Sequence, residues 1–172
     1  MSLNIVIIGN SSSGKSSLAR KLVEKFNSAY LDLDTVAWEK QIEPIRKSLV
    51  SSMAEINHFI NLNNEWIIEG CYGDLIEEIL PKTDVLIFLN PDVNTCLNNA
   101  KNRGWESHKY ENLDAQNANL KMLENWIQDY WIRDDNLSFV YHEQLFRSYL
   151  GTKIEYNKNW DDNLLNIITK LR

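Results

Sequence analysis

With 172 residues, 44% of them hydrophobic, the chain is long and apolar enough to bury one core, which excludes a disordered polymer. Its formal charge of −6 argues against a duplex nucleic-acid binder, whose surface needs a basic footprint, and leaves room for a local basic cleft. Two cysteines, Cys71 and Cys96, and three histidines, His58, His108 and His142, stand too far apart for metal-ligand spacing; both thiols are read as reduced and the protein as cytoplasmic.

Residues 3–8 are a short β-branched run that reads as a strand buried on both faces. The run is too short for a signal core, and no stretch approaches the roughly 20 apolar residues of a membrane helix. Residues 15–26 place Leu18, Leu22, Val23 and Phe26 at helical spacing, and 29–33 reads as a second strand. Residues 44–62 read as a helix from the recurrence of Ile45, Leu49, Met53, Ile56 and Ile60. A third strand is expected at 65–69, a short helix at 73–80 stopped by Pro81, and a fourth strand at 84–89. Residues 93–103 read as a helix with Gly104 as its C-terminal cap. Residues 105–110 are polar and aromatic without a period, and the 104–112 region around them is the long irregular stretch expected to be mobile. Helices follow at 113–132 and at 137–150, the latter capped by Gly151, then a fifth strand at 153–156 and a closing helix at 161–170. Strands alternating with helices predict a parallel sheet covered on both faces. No repeat or linker interrupts the pattern, so a single domain over residues 1–172 is expected.

The first strand runs into Gly9-Asn10-Ser11-Ser12-Ser13-Gly14-Lys15-Ser16, which meets the pattern G-x-x-x-x-G-K-[ST] in full between a buried strand and a helix. Gly9 and Gly14 permit backbone angles that side chains obstruct. The N–H groups of this loop, with Ser17 next in line, converge on an anion at the positive end of the helix. Lys15 is expected to reach the β- and γ-phosphates of ATP, and the Ser16 hydroxyl to ligate Mg²⁺. The expected architecture is α/β: a three-layer α/β/α P-loop NTPase fold with a five-stranded parallel sheet in the order 2-3-1-4-5. A GTPase needs N-K-x-D, and the nearest string, Asn157-Lys158-Asn159-Trp160, lacks the aspartate. Larger motors carry an apolar strand ending in acid, of which Trp66-Ile67-Ile68-Glu69 is a weak form. Small P-loop kinases remain.

Asp32 and Asp34 end the second strand, where alternation puts both carboxylates on one side and where such sheets bind ligands. Asp32 would hold Mg²⁺ through water, and Asp34 would orient or deprotonate an acceptor hydroxyl. The plainer alternative for both is a solvated strand end or a helix N-cap.

The P-loop, the D-x-D and a glycine-bearing turn after strand three resemble shikimate kinase and the nucleoside monophosphate kinases. A closer likeness is to the bacterial topology-modulation-protein-like, adenylate kinase-related proteins. It rests on Leu33-Asp34-Thr35-Val36-Ala37-Trp38, on Trp66-Ile67-Ile68-Glu69-Gly70-Cys71-Tyr72 and on Ile87-Phe88-Leu89. The run from Tyr130 through Arg133, Ser138 and His142 to Lys153 adds to it. This resemblance implies that Asp34 faces the acceptor, that Trp38 and Tyr72 line its pocket, and that Gly70 lets it approach the backbone. It puts Glu69 at a position where the group more often has aspartate. Arg46, early in the helix after Pro44, would bind an acidic group on the acceptor. Residues 104–112 would form a lid, served by Arg103 at one end and Arg133 beyond it, with His108 and Lys109 but no arginine between. Asn157 and Lys158 would touch adenine, and Trp38 or Trp105 could stack on a base.

The main expectation is an ATP- and Mg²⁺-dependent kinase acting on a nucleotide, nucleoside or hydroxy-acid metabolite, with nucleic acid an improbable partner and the oligomeric state open. Lys15, Arg103 and Arg133 would stabilise charge. The alternatives are a nucleotide-responsive regulatory protein whose output is conformational, and a nucleic-acid 5′-hydroxyl kinase, against which the acidic charge speaks.

Overall fold

The computed structural model describes residues 2–39, 44–107 and 110–172. Five parallel strands, β1 (Ile5–Gly9), β2 (Ala29–Asp32), β3 (Trp66–Gly70), β4 (Val85–Leu89) and β5 (Thr152–Tyr156), pair in the order β2-β3-β1-β4-β5. Every residue of β1, β3 and β4 is buried, as expected of apolar runs covered on both faces. Alternation splits each strand between two cores. Ile5, Ile7, Ile67 and Ile87 pack under α1 (Lys15–Phe26) and α9 (Asp162–Thr169). Val6, Ile8, Ile68, Leu86 and Phe88 face α3 (Leu49–Leu62), α4 (Gly73–Ile79) and α8 (Phe139–Ser148). These are the three layers and the strand order that the sequence predicts.

A third apolar cluster lies outside the sheet. Cys96 and Ala100 of α5 (Val93–Asn102) pack on Ile127 of α7 (Leu120–Asp129). The expected helix over 113–132 is divided into α6 (Leu113–Ala118) and α7. Asn119 breaks it: its side-chain amide donates to the Ala115 carbonyl at 2.8 Å and so competes with the backbone ladder.

Several boundaries differ from expectation for local reasons. The third helix begins at Leu49, after a Ser48 cap whose Oγ accepts the Ser51 N–H, and not at Pro44. Residues 44–48 are extended instead, with Arg46 bridged antiparallel to Trp38 and the Lys47 N–H donating to the Ala37 carbonyl. α8 begins after a Ser138 cap. Gly104 and Gly151 do not serve as caps: α5 and α8 end on Arg103 and Tyr149 in extended conformation, and the positive-φ glycines are Gly9 and Gly14. Among the described residues no helix is long and apolar enough to cross a membrane. Cys71 and Cys96 are free thiols.

Candidate active site

β1 leaves the sheet at Gly9 with φ 151°, where a Cβ would press into the Leu89 carbonyl of β4. The chain turns through Ser12 at φ 59° and Gly14 at φ 95°, and α1 begins with no side chain capping its first N–H groups. A helix start left open in this way offers its N–H groups and the positive end of its dipole to an anion. Two long-range bonds fix the loop. The Asn10 amide donates to the Ile127 carbonyl at 3.0 Å, and Asn99 donates to the Ser12 carbonyl at 2.9 Å. Lys15 is 8% exposed, and its ammonium rests on the Asn10 carbonyl at 2.7 Å. The nearby Ser12 and Ser13 hydroxyls are buried without a hydrogen-bond partner among the described residues. A buried cation and orphaned hydroxyls around open amides form a donor set suited to phosphate.

A cleft of about 510 Å³ opens over this loop at the carboxyl ends of the strands. Ser11, Ser12 and Gly14 through Ser17 form its floor; Asp32, Asp34, Glu69 and Gly70 form one side. Asn99, Arg103, Glu106 and Tyr110 close the side toward α5, and Asn159 and Trp160 the end beyond β5.

Asp32 and Asp34 both reach the cleft, but not as strand neighbours. β2 stops at Asp32, whose Oδ1 accepts the Asp34 N–H at 2.8 Å, so Asp34 starts a short helix, α2 (Asp34–Ala37). The carboxylate itself turns the chain. Glu69 is 2% exposed and accepts two hydroxyls on one oxygen, Ser16 Oγ at 2.6 Å and Tyr30 at 2.9 Å. Burial, with the Glu69 carboxylate beside it, pushes the Tyr30 phenol well above its usual value, so it remains a donor.

Trp38 and Tyr72 stand behind Asp34 and do not line the cleft. Trp38 Nε1 donates to the Tyr72 hydroxyl at 2.7 Å, and that hydroxyl donates to Asp34 Oδ1 at 2.6 Å. Arg46 is outside the cleft as well. Its guanidinium lies 4.8 Å from the Tyr72 ring centroid, makes a two-oxygen contact with Asp74 at 3.1 and 3.2 Å, and donates to the Ala37 carbonyl. Gly70 lines the cleft, and a Cβ there would meet Leu33 at 2.8 Å, so its smallness also serves packing.

Of the two expected arginines, Arg103 lines the cleft and pairs with Glu106 at 2.7 Å. Arg133 is turned away, its guanidinium 3.5 Å from the Trp126 ring centroid. His108 and Lys109 of the expected lid lie outside the described residues. Asn157 and Lys158 do not line the cleft, and Lys158 pairs with Asp161 at 2.9 Å; the next two residues, Asn159 and Trp160, line it instead. Trp160 donates to Ser17 Oγ at 2.6 Å with its ring against Gly14, and Asn159 pairs with Asn99. Trp105 is half exposed and donates to the Tyr110 carbonyl. Arg20 lines the cleft as well, and Tyr30 reaches it only through its bond to Glu69; the sequence motifs pass over both. Arg20 is legible in hindsight, one helical turn beyond Ser16.

His142 is wholly buried next to the cleft. Its Nε2 meets the Cys71 carbonyl at 2.8 Å and its Nδ1 the Tyr130 hydroxyl at 2.8 Å. A carbonyl only accepts, so Nε2 carries the proton and Tyr130 donates to Nδ1. Burial pulls the imidazole down to about 4 and pushes the Cys71 thiol up to about 12, so both are neutral near pH 7.

No protein-family model matches the chain. A curated Pyrococcus furiosus protein provisionally named an adenylate kinase is 27% identical over 125 residues, which cover 70% of this chain and 67% of that one. A shikimate kinase from Acinetobacter baumannii in complex with shikimate has a TM-score of 0.58 at 19% identity, covering 99% of this chain and 93% of that one. A deoxyadenosine kinase from M. mycoides with bound dATP has a TM-score of 0.55 at 13% identity, covering 98% and 99%. At such identities the solved structures speak for the fold. The chain resembles the small P-loop kinases of the adenylate kinase and shikimate kinase group.

Proposed function

We propose that the protein is an ATP- and Mg²⁺-dependent phosphotransferase that moves the γ-phosphate to a small acceptor bearing a hydroxyl or phosphate group. The observation that carries this reading is the meeting, in one cleft, of an uncapped P-loop with the carboxylates of Asp32, Asp34 and Glu69 at the neighbouring strand ends. The likeness to kinases supports the same class.

Each residue has a role that its contacts suit. Lys15 exchanges the Asn10 carbonyl for phosphate oxygens, a short move for an ammonium already at the loop. Ser16 points its hydrogen at Glu69, which leaves oxygen lone pairs for a cation. Bound ATP supplies the phosphoryl group, and Mg²⁺ offsets the charge of its oxygens. Asp34 takes or orients the acceptor proton, held in place by Tyr72. Arg103 adds positive charge from the α5 side, and the Trp160 ring with the Asn99–Asn159 pair forms a wall for the base. Positioning and fixed charge supply most of the rate.

The test is transfer of labelled γ-phosphate to a panel of nucleosides, nucleotides and hydroxy acids. Acceptors are first sought by thermal shift with a non-hydrolysable ATP analogue present, since a true acceptor adds stability by mass action. Lys15→Met is expected to lower transfer at least 100-fold while the melting temperature without ligand stays within a few degrees. Absence of transfer by the folded wild type to the whole panel would overturn the reading. One observation favours a second reading, a nucleotide-binding regulatory protein with little turnover: Arg133 stacks on Trp126, away from the cleft. Tight ATP binding without transfer is its signature.

A further inference from the structure

Glu69 brings one more methylene to its place in β3 than an aspartate would, and with it one more rotatable bond. A carboxylate that must face a bound cation loses value if that bond is free to turn. The structure supplies a restraint from the neighbouring strand. Tyr30 stands on β2, in register with Ile67 of β3, and leans two residues along the sheet so that its hydroxyl reaches Glu69 Oε1 at 2.9 Å. Ser16 donates to the same oxygen at 2.6 Å. Both protein donors therefore sit on Oε1. Oε2 takes none among the described residues, although the residue is 2% exposed and lines the cleft. A buried carboxylate with one oxygen doubly held and the other without a protein donor is arranged toward a cation or its water, not toward the protein.

We propose that Tyr30 is a positioning residue for the metal end of the cleft: it locks Glu69 so that Oε2 and the Ser16 oxygen are presented together to the magnesium that accompanies a nucleoside triphosphate. The proposal rests on the nucleotide reading above and adds a residue that makes no contact with the nucleotide itself. Asp32, the acid expected on sequence grounds to manage the metal, commits its Oδ1 to the Asp34 amide. Glu69 takes the larger share.

The experiment is calorimetric titration of AMP-PNP into the full chain, in excess Mg²⁺ and in EDTA, for wild type, Tyr30→Phe, Glu69→Gln and the double variant. Phenylalanine keeps the ring that packs beside α1 and removes only the hydroxyl. Wild type is expected to bind more tightly with Mg²⁺. Tyr30→Phe is expected to lose about 10-fold of that metal-dependent gain with its affinity in EDTA unchanged. The double variant should then match Glu69→Gln, because Tyr30 acts through Glu69. Equal weakening in both buffers would mean a merely structural role and overturn the proposal, as would a Tyr30→Phe variant that keeps the full magnesium gain. If the wild type bound AMP-PNP in neither buffer, the nucleotide reading would fall first and this proposal with it.

Discussion

Gly9 shows how one residue can decide the site. Its φ of 151° and the Leu89 carbonyl against its α-carbon leave no room for a side chain. Gly9→Ala must shift either β4 or β1, and neither is soft, since both strands end fully buried. We expect a loss of about 3 kcal/mol or more of stability, read by urea unfolding; a change below about 1 kcal/mol would show that the loop tolerates a Cβ. This part of the site was legible because the P-loop is local: eight consecutive residues carry backbone freedom, cation and hydroxyl together. Trp160, Asn99 and Tyr30 were not legible for the opposite reason. Trp160 meets Ser17 across 143 residues, Asn99 meets Ser12 across 87, and Tyr30 meets Glu69 across 39. Only the folded sheet brings them together. Trp38 and Tyr72 were found by resemblance but stand one layer back, because their polar atoms satisfy each other and Asp34 before any ligand arrives.

At the scale of elements, periodicity found the strands and the main helices, and side-chain caps decided the boundaries that it missed. Ser48, Asp32 and Asn119 each redirect the backbone with a single polar group, which an apolar pattern does not register. His142 joins three elements in a way that titrates. From α8 it holds the turn after β3 through the Cys71 carbonyl, and the end of α7 through the Tyr130 hydroxyl. Its pKa falls from 6.5 to about 4 on folding, so the unfolded chain binds the extra proton between those values. Stability from this group is fully present above pH 6.5 and is lost as the pH falls toward 4. Two and a half pH units correspond to a loss on the order of 3 kcal/mol. Urea midpoints measured from pH 7.5 to 4 are expected to fall for wild type and to fall less for His142→Leu, which is weaker at neutral pH. The comparison removes the carboxylates that titrate over the same range. Equal slopes in the two proteins would assign the acid sensitivity elsewhere.

At the scale of the whole molecule, the cleft is a junction of three stretches of chain, of which the sheet and the α5–α7 arm have separate cores. The P-loop belongs to the sheet. Ile127 and Asn99, which hold it by the Asn10 amide and the Ser12 carbonyl, belong to the α5–α7 arm. Trp160 and Asn159 come from the loop after β5 and bond Ser17 and Asn99. A nucleotide bound over the loop would therefore touch all three pieces and tie them together, and ligand should raise the melting temperature by an amount that grows with the logarithm of its affinity. On the proposed reading the base would lie against Trp160 and the metal beside Glu69, on different stretches of the chain, so the two contributions can be tested separately. Trp160→Ala removes a ring of the cleft wall that makes no hydrogen bond to Glu69 and is expected to weaken AMP-PNP binding by about 1–2 kcal/mol, roughly 5- to 30-fold. The loss should be equal in magnesium and in EDTA, the opposite pattern to that expected of Tyr30→Phe. The thermal shift produced by the analogue should shrink to match. If the Trp160 loss appeared only with magnesium, the indole would be acting through Ser17 and the P-loop helix, and the base would have to be read by other groups along α5.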